Sequence, residues 1–198
     1  MGITERKARQ KENVRSQILE MAWQIVKEEG WQALSIRKIA DGIEYSVPVI
    51  YDHFANKEAI LYELSLHGFG LLKEDLDKNL QNTDNPEALL RAHVDSYWDF
   101  AFRNKEYYQL MYGLGMPCCG AGKMNSQVNI FRDYSLNAIE QIMQQRGSDP
   151  SQLCFKSYAL WSIIHGLISI MQMRVSDIDD TLNKQVLTES LESFIRNL

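Results

Sequence analysis

The sequence is poor in the residues that staple a fold, bind metal or cradle phosphate. Three cysteines in 198 residues, two of them adjacent at Cys118 and Cys119, make no disulfide framework. A reducing cytoplasm is therefore the expected home. Neither C-x-x-C nor H-x-x-x-H occurs, so no zinc spacing exists. The four histidines stand apart at positions 53, 67, 93 and 165. With no glycine-rich phosphate loop and no nucleophile elbow, nothing marks an enzyme, and neither a metal nor a cofactor is expected. Acid–base work by His165 and Asp99 in an aromatic pocket is the one catalytic alternative. No apolar stretch follows the first residue; residues 1–15 are polar and basic, and no secretory signal is expected. The most apolar run, Ser157 to Met173, carries Ser, His, Gly and Gln. It reads as a buried helix, not a membrane span.

What is present is ordinary globular material, 45% hydrophobic and 24% charged, long enough to bury a sizeable core. Charge is distributed unevenly. Residues 1–15 hold Arg6, Lys7, Arg9, Lys11 and Arg15 against Glu5 and Glu12, whereas residues 61–198 carry a net charge of −5. A basic arm ahead of an acidic body directs any polyanion to the N-terminal end.

The hydrophobic pattern is helical nearly throughout. Val14, Ile18, Met21 and Ile25 form one face of a helix from about Lys11 to Glu29, ended by Gly30. Ser35 and Ser46 each stand where a short helix needs an N-cap, and Pro48 fits only a first turn. Asn56 opens a long helix to about Gln81. Asn85-Pro86 opens another to about Arg103, and Asn104 caps an aromatic one ending near Gly113. Residues 113–123 are a loop by composition. Helices resume over about 125–146, 150–174 and 180–197, the last with Leu187, Leu191, Phe194 and Leu198 on one stripe. No run of alternating β-branched residues competes, and no internal repeat is found. The expected fold class is all-α, about nine helices.

The first 55 residues have helix-turn-helix proportions. Ile36, Ile39 and Ala40 can face the first helix while Arg37 and Lys38 project outward. The segment Tyr45-Ser46-Val47-Pro48-Val49-Ile50-Tyr51-Asp52-His53-Phe54 can bury Ile50 and Phe54 at i and i+4. Val47, Pro48, Val49, Tyr51 and His53 then face away, where a lone folded chain gains nothing from apolar groups. Such a patch suits a duplex groove: apolar contact with thymine methyls, polar contact with phosphates.

Here the sequence resembles the TetR family of transcriptional regulators. The resemblance rests on Leu34-Ser35-Ile36-Arg37-Lys38-Ile39-Ala40, on Ser46, and on Ile50 to Leu61, where Tyr51-x-His53-Phe54 precedes Asn56-Lys57-Glu58. It covers about residues 11–65. Further on, Trp161 with His165-Gly166 is similar to the W…HG motif of one C-terminal domain type of that family. The resemblance implies phosphate contacts from Ser35, Tyr51, His53 and Lys57, and base-edge contacts near Arg37, Val47, Pro48 and Val49, with Ser46 at the turn. One departure is visible. The turn usually reads Ala-Gly-Val-Ser, and here it is Ile43-Glu44-Tyr45-Ser46, which asks Glu44 to take a conformation glycine takes more easily.

From residue 90 aromatic density rises, and each ring taken singly defaults to packing. The resemblance implies a small-molecule cavity in this region, for which Tyr97, Tyr108, Met111, Tyr134, Tyr158 and Trp161 are the candidates. Gly166 is expected to permit close helix contact. Leu160, Ile163, Leu167 and Ile170, with Leu187, Leu191 and Phe194, give the last two helices more apolar surface than one shared face needs. A symmetry mate would bury the excess and set two recognition helices about 34–36 Å apart.

The expected organisation is therefore a DNA-binding domain over 1–55 and a ligand-binding and dimerisation domain over 56–198. The expected function is a cytoplasmic, homodimeric regulator, a repressor released from a palindromic operator on double-stranded DNA by an apolar or aromatic effector, with no membrane partner. Control by a protein partner, or by thiol oxidation at Cys118 and Cys119, is the alternative.

Overall fold

The computed structural model of the chain describes residues 2–79, 83–113, 130–173 and 180–198. These residues form nine α-helices and no strand: α1 (Ile3–Glu29), α2 (Ile36–Gly42), α3 (Val47–Tyr51), α4 (Lys57–Asn79), α5 (Pro86–Arg103), α6 (Lys105–Tyr112), α7 (Ile130–Arg146), α8 (Leu153–Gln172) and α9 (Asp180–Arg196). Short 3-10 turns occupy Trp31–Ala33 and Pro150–Gln152. The loop expected over 113–123, with Cys118 and Cys119, lies outside the described residues beyond Gly113. Cys154 is a free, exposed thiol.

Helix α1 starts at Ile3, eight residues before the start expected at about Lys11. The Gly2 amide donates to Glu5 Oε2 at 2.9 Å, and that carboxylate sits in the first turn, where the helix dipole favours it. Good helix formers between Glu5 and Glu12 carry the helix through a stretch that has no apolar face to reveal it. At the other end of the chain, Asp149 caps a 3-10 turn at Pro150–Gln152, and α8 starts only at Leu153.

Packing divides the described residues into two compact units, those of Met1–Gly68 with Glu106–Lys123 and those of Phe69–Lys105 with Met124–Leu198. That division falls inside α4 rather than at the 55/56 boundary expected on functional grounds. In the first unit Ile18 and Ala22 of α1, Ile39 of α2, Ile50 of α3, Phe54 and Ile60 are buried together as one core. Helix α6 belongs to this unit from Glu106 on. Its Tyr107 stacks on Trp23 of α1 with centroids 3.7 Å apart. Its Met111 lies so close to Gly68 of α4 that a Cβ there would meet Sδ at 2.8 Å.

In the second unit α5, α7 and α8 bury Leu90, Val94, Phe131, Ile139, Leu160, Ile164 and Ile168, and α9 adds Leu187, Leu191 and Ile195. Ile195 takes the buried place on α9 that the pattern assigned to Phe194, which is half-buried. Helix α8 is not the buried helix its composition suggests. Only 28% of its most apolar window is buried in the single chain, although Pro150–Gln172 is long and apolar enough to cross a membrane. Phe155 is 65% exposed and Tyr158 60%, and Ile163, Ile170 and Met173 are exposed with them. Nor does Gly166 serve a close contact among the described residues, since a Cβ there would meet nothing within 4 Å.

Candidate nucleic-acid interface and effector region

Helix α2 begins where Ser35 Oγ accepts from the Lys38 amide at 3.2 Å, the expected cap. Ile39 and Ala40 are buried beneath it, Ile36 is half-buried, and Arg37 stands exposed with Asp41 4.0 Å away. Lys38 is turned back to Glu29 at 2.6 Å. The turn then closes through Tyr45 N donating to Ala40 O at 3.0 Å. Glu44 sits in this turn at φ 58°, the one non-glycine residue with positive φ among those described. The strain foreseen from the missing turn glycine is thus present in the backbone.

Helix α3 is anchored by Ile50 and, just past its end, by Phe54, both buried. Ser46 holds the N-cap position, but its hydroxyl makes no cap hydrogen bond, contrary to the expectation that it caps α3. Instead the Val49 amide is satisfied by the Ser46 carbonyl at 2.9 Å, which leaves the exposed hydroxyl uncommitted. Pro48 is exposed in the first turn, Val47 and Val49 are half-buried, and Tyr51 is 52% exposed.

Two candidate phosphate ligands come together beside α2. Lys57, at the start of α4, donates from Nζ to the Leu34 carbonyl at 2.6 Å, one residue before the Ser35 cap. His53 is half-buried, and its Nδ1 has no hydrogen-bond partner. Arg15, counted with the basic arm, is committed elsewhere. Its guanidinium pairs with Glu63 at 2.6 Å, donates to His53 O at 3.3 Å and covers the Phe54 ring at 4.3 Å. Arg6, Lys7, Arg9 and Lys11 remain exposed along the first turns of α1.

The six effector-site candidates fall into both units. Tyr108 and Met111 are buried on α6 in the first, where Tyr108 packs on Tyr112 at 4.8 Å. The other four lie in the second unit. Trp161 Nε1 donates to Tyr97 Oη at 3.3 Å, and Tyr97 Oη in turn lies 3.4 Å from His165 Nδ1. Trp161 stacks on His165 at 4.9 Å, and Tyr97 packs on Phe131 at 4.4 Å. Burial lowers the His165 pKa, so that ring favours its neutral form. Tyr134 donates its hydroxyl to Asp77 of α4. That bond and the neighbouring Lys73 ammonium hold the Asp77 carboxyl below the ordinary range, Lys73 having the larger effect. Tyr158 stays largely in solvent, 5.9 Å from Trp161.

Reading the sequence alone overlooked His93. It is fully buried on α5, one turn before Tyr97, and its ring meets the Tyr134 ring edge-on at 5.7 Å. A polar residue inside the stripe Leu90, His93, Val94 and Tyr97 was the available signal.

A capped helix, a strained turn and a second helix with its apolar tip exposed define a helix-turn-helix protein with a helical body. Known proteins agree with that class. Residues 18–64 match the family model described as bacterial regulatory proteins, tetR family. Residues 90–188 match that of the tetracyclin repressor-like C-terminal domain. Over 99 residues the chain is 32% identical to the HTH-type transcriptional activator FasR of Mycolicibacterium smegmatis, covering 50% of this chain and 45% of FasR. The matched part spans less than half the length of the curated relatives. Among solved structures, a protein of unknown function from Rhodococcus sp. RHA1 superposes with a TM-score of 0.75 at 22% identity, covering 93% of this chain and 94% of that one. AibR in complex with isovaleryl coenzyme A and operator DNA superposes at 0.60 and 18% identity, over 89% and 95%. The chain belongs to the TetR family of bacterial regulatory proteins.

Proposed function

We propose that this chain is a cytoplasmic, homodimeric DNA-binding transcriptional regulator, a repressor that leaves a palindromic operator when an effector binds its helical body. Residues 1–55 are the DNA-binding domain and 56–198 the ligand-binding and dimerisation domain. The observation that carries this reading is the tip of α3, where Pro48 and Tyr51 stand exposed over buried Ile50 and Phe54. A folded chain gains nothing by presenting that surface to water, and a major groove matches it. Ser35, Tyr51, His53 and Lys57 contact phosphates in this reading, and Arg37, Ser46, Val47, Pro48 and Val49 lie nearest the bases. The free cations of α1 add sequence-independent affinity.

The dimer forms through α8 and α9. In support, Phe155, Ile163, Ile170, Leu182 and Val186 are exposed in the single chain, and a groove of about 450 Å³ opens between the two helices beside Ile163 and Phe194. Burying such a surface against a symmetry mate stabilises by roughly 25 cal/mol per Å². The effector is a largely apolar molecule, with an acyl thioester the first class to test, since AibR is seen with isovaleryl coenzyme A. Its site lies in the second unit, on Tyr97, Tyr134, Tyr158 and Trp161. Release follows by population shift, the effector binding better where the recognition helices are badly spaced. An electrophoretic shift assay on the region upstream of the chain's own gene, with and without isovaleryl-CoA, tests the whole reading. Absence of any shift with a palindromic fragment there overturns it.

A further inference from the structure

Two buried polar side chains of the second unit make no hydrogen bond among the described residues. His93 on α5 is fully buried, yet neither ring nitrogen has a hydrogen-bond partner. Ser135 on α7 is 1% exposed, and its hydroxyl oxygen is likewise without one. Buried polar groups are bonded in the great majority of cases, so each such exception calls for a cause. The ring pairs Tyr97–Phe131 and His93–Tyr134 run in opposite senses along α5 and α7. Ser135, the neighbour of Tyr134, therefore stands at the level of His93. Two orphaned groups on helices that pack together thus stand at one level, next to the ring contacts of Tyr97 with Phe131 and of His93 with Tyr134.

We propose that His93, with Ser135, is the hydrogen-bonding anchor of the effector site, and that the group it holds is an uncharged carbonyl, as in a thioester, ester or ketone. This rests on the effector-binding reading above and specifies its chemistry. Burial pushes the imidazole from its ordinary 6.5 to about 4. At neutral pH the ring is uncharged and offers one N–H donor and one acceptor nitrogen; the serine hydroxyl offers one donor more. A carbonyl oxygen accepts from such donors with no ion to desolvate. A carboxylate or phosphate finds no cation in His93. The cation beside the Tyr134 hydroxyl, Lys73, is already paired with Asp77 at 2.6 Å. Tyr97, Phe131 and Tyr134 supply the apolar surround that the rest of an acyl chain or ketone requires.

The test titrates the full-length protein with two matched pairs of probes. The first is isovaleryl-CoA and the isopentyl thioether of CoA, which lacks the carbonyl; the second is 2-octanone and octane. The proteins are wild type, His93→Leu, His93→Gln and Ser135→Ala, each checked for its melting transition. In at least one pair, wild type binds the carbonyl member at least tenfold more tightly. His93→Leu removes that preference while still binding the carbonyl-free member, and His93→Gln, which keeps a donor and an acceptor, retains part of it. If only the ketone pair shows this, the anchor stands and the acyl-CoA class fails. A ketone that binds through His93 but leaves operator affinity unchanged keeps the anchor and removes the effector reading. No carbonyl preference in either pair, or equal weakening of both members by His93→Leu, overturns the proposal: the imidazole is then packing, or holds only a water.

Discussion

The Nζ of Lys57 lies 2.6 Å from the carbonyl oxygen of Leu34, so the start of α4 is tied to the backbone one residue before the cap of α2. The same contact holds a cation beside Ser35, where a phosphate would sit in the DNA-binding reading. Lys57 therefore has two tasks, and they separate by measurement.

Lys57→Ala is expected to weaken binding to every DNA sequence by a similar factor, because a phosphate contact carries no base information. The slope of log affinity against log salt should flatten by about one unit. Losing the bond to Leu34 should also cost about 1 kcal/mol of stability, read from urea denaturation. A loss confined to one operator base would contradict the phosphate role.

Val49→Ala acts on sequence, not on affinity in general. Its methyl groups flank the exposed tip of α3, so its loss should cost about 1–3 kcal/mol at one T·A pair and spare non-specific binding. Affinities for a set of single-base operator variants decide this. Uniform loss across the set would sink it.

Glu44 occupies the left-handed region at φ 58°. Glycine takes that conformation without the side-chain penalty, so Glu44→Gly should stabilise by up to about 1 kcal/mol, less the extra entropy of the unfolded chain. Urea midpoints at unchanged slope measure it. A clear loss of stability would mean that the glutamate side chain repays its strain through contacts of its own.

His93 sets a dependence on pH. Its folded pKa, about 4, lies below its ordinary 6.5. Between those values the unfolded chain binds a proton that the folded chain refuses. Stability is therefore complete above pH 6.5 and falls as pH drops towards 4, at about 1.4 kcal/mol per unit. His165, shifted the same way by burial, adds to the fall. His93→Leu should flatten the curve and raise stability at pH 5 relative to wild type. Equal slopes for the two proteins would show that the ring is not desolvated.

Legibility differed between the two parts of the chain. Ile39, Ile50 and Phe54 were recoverable as core because helical spacing places them on one face, and Ser35 because a cap has a side-chain signature. Glu44 was recoverable as strained because only one residue type fits a left-handed turn without cost. Elsewhere the controlling contacts are long-range. Nothing local says that Tyr107 stacks on Trp23, 84 positions earlier in the chain, or that residues from Glu106 on fall in the same compact unit as α1. The start of α1 has no apolar periodicity to betray it. Burial of α8 was overestimated because a helix apolar all round looks the same whether its own chain covers it or another surface does. His93 escaped notice because an orphaned nitrogen is a property of surroundings, not of sequence.

Trp161 is where packing and signalling can be told apart. It is half-buried on α8, donates to the Tyr97 hydroxyl and stacks on His165. Truncating a fully buried tryptophan costs roughly 3–5 kcal/mol, because the cavity left behind has no other occupant. A tryptophan that borders an effector site already has solvent on one side, so Trp161→Ala should cost only about 1–2 kcal/mol. Operator affinity without effector should then stay near wild type. The hydroxyl of Tyr97 loses a donor, the wall beside it loses a ring, and the effector should lose most of its power to release DNA, since it can shift the equilibrium only by its differential affinity for the two states. Melting temperature and operator affinity, measured on the same variant with and without isovaleryl-CoA, give both answers. A stability loss near the upper range would return Trp161 to the core and remove it from the effector site.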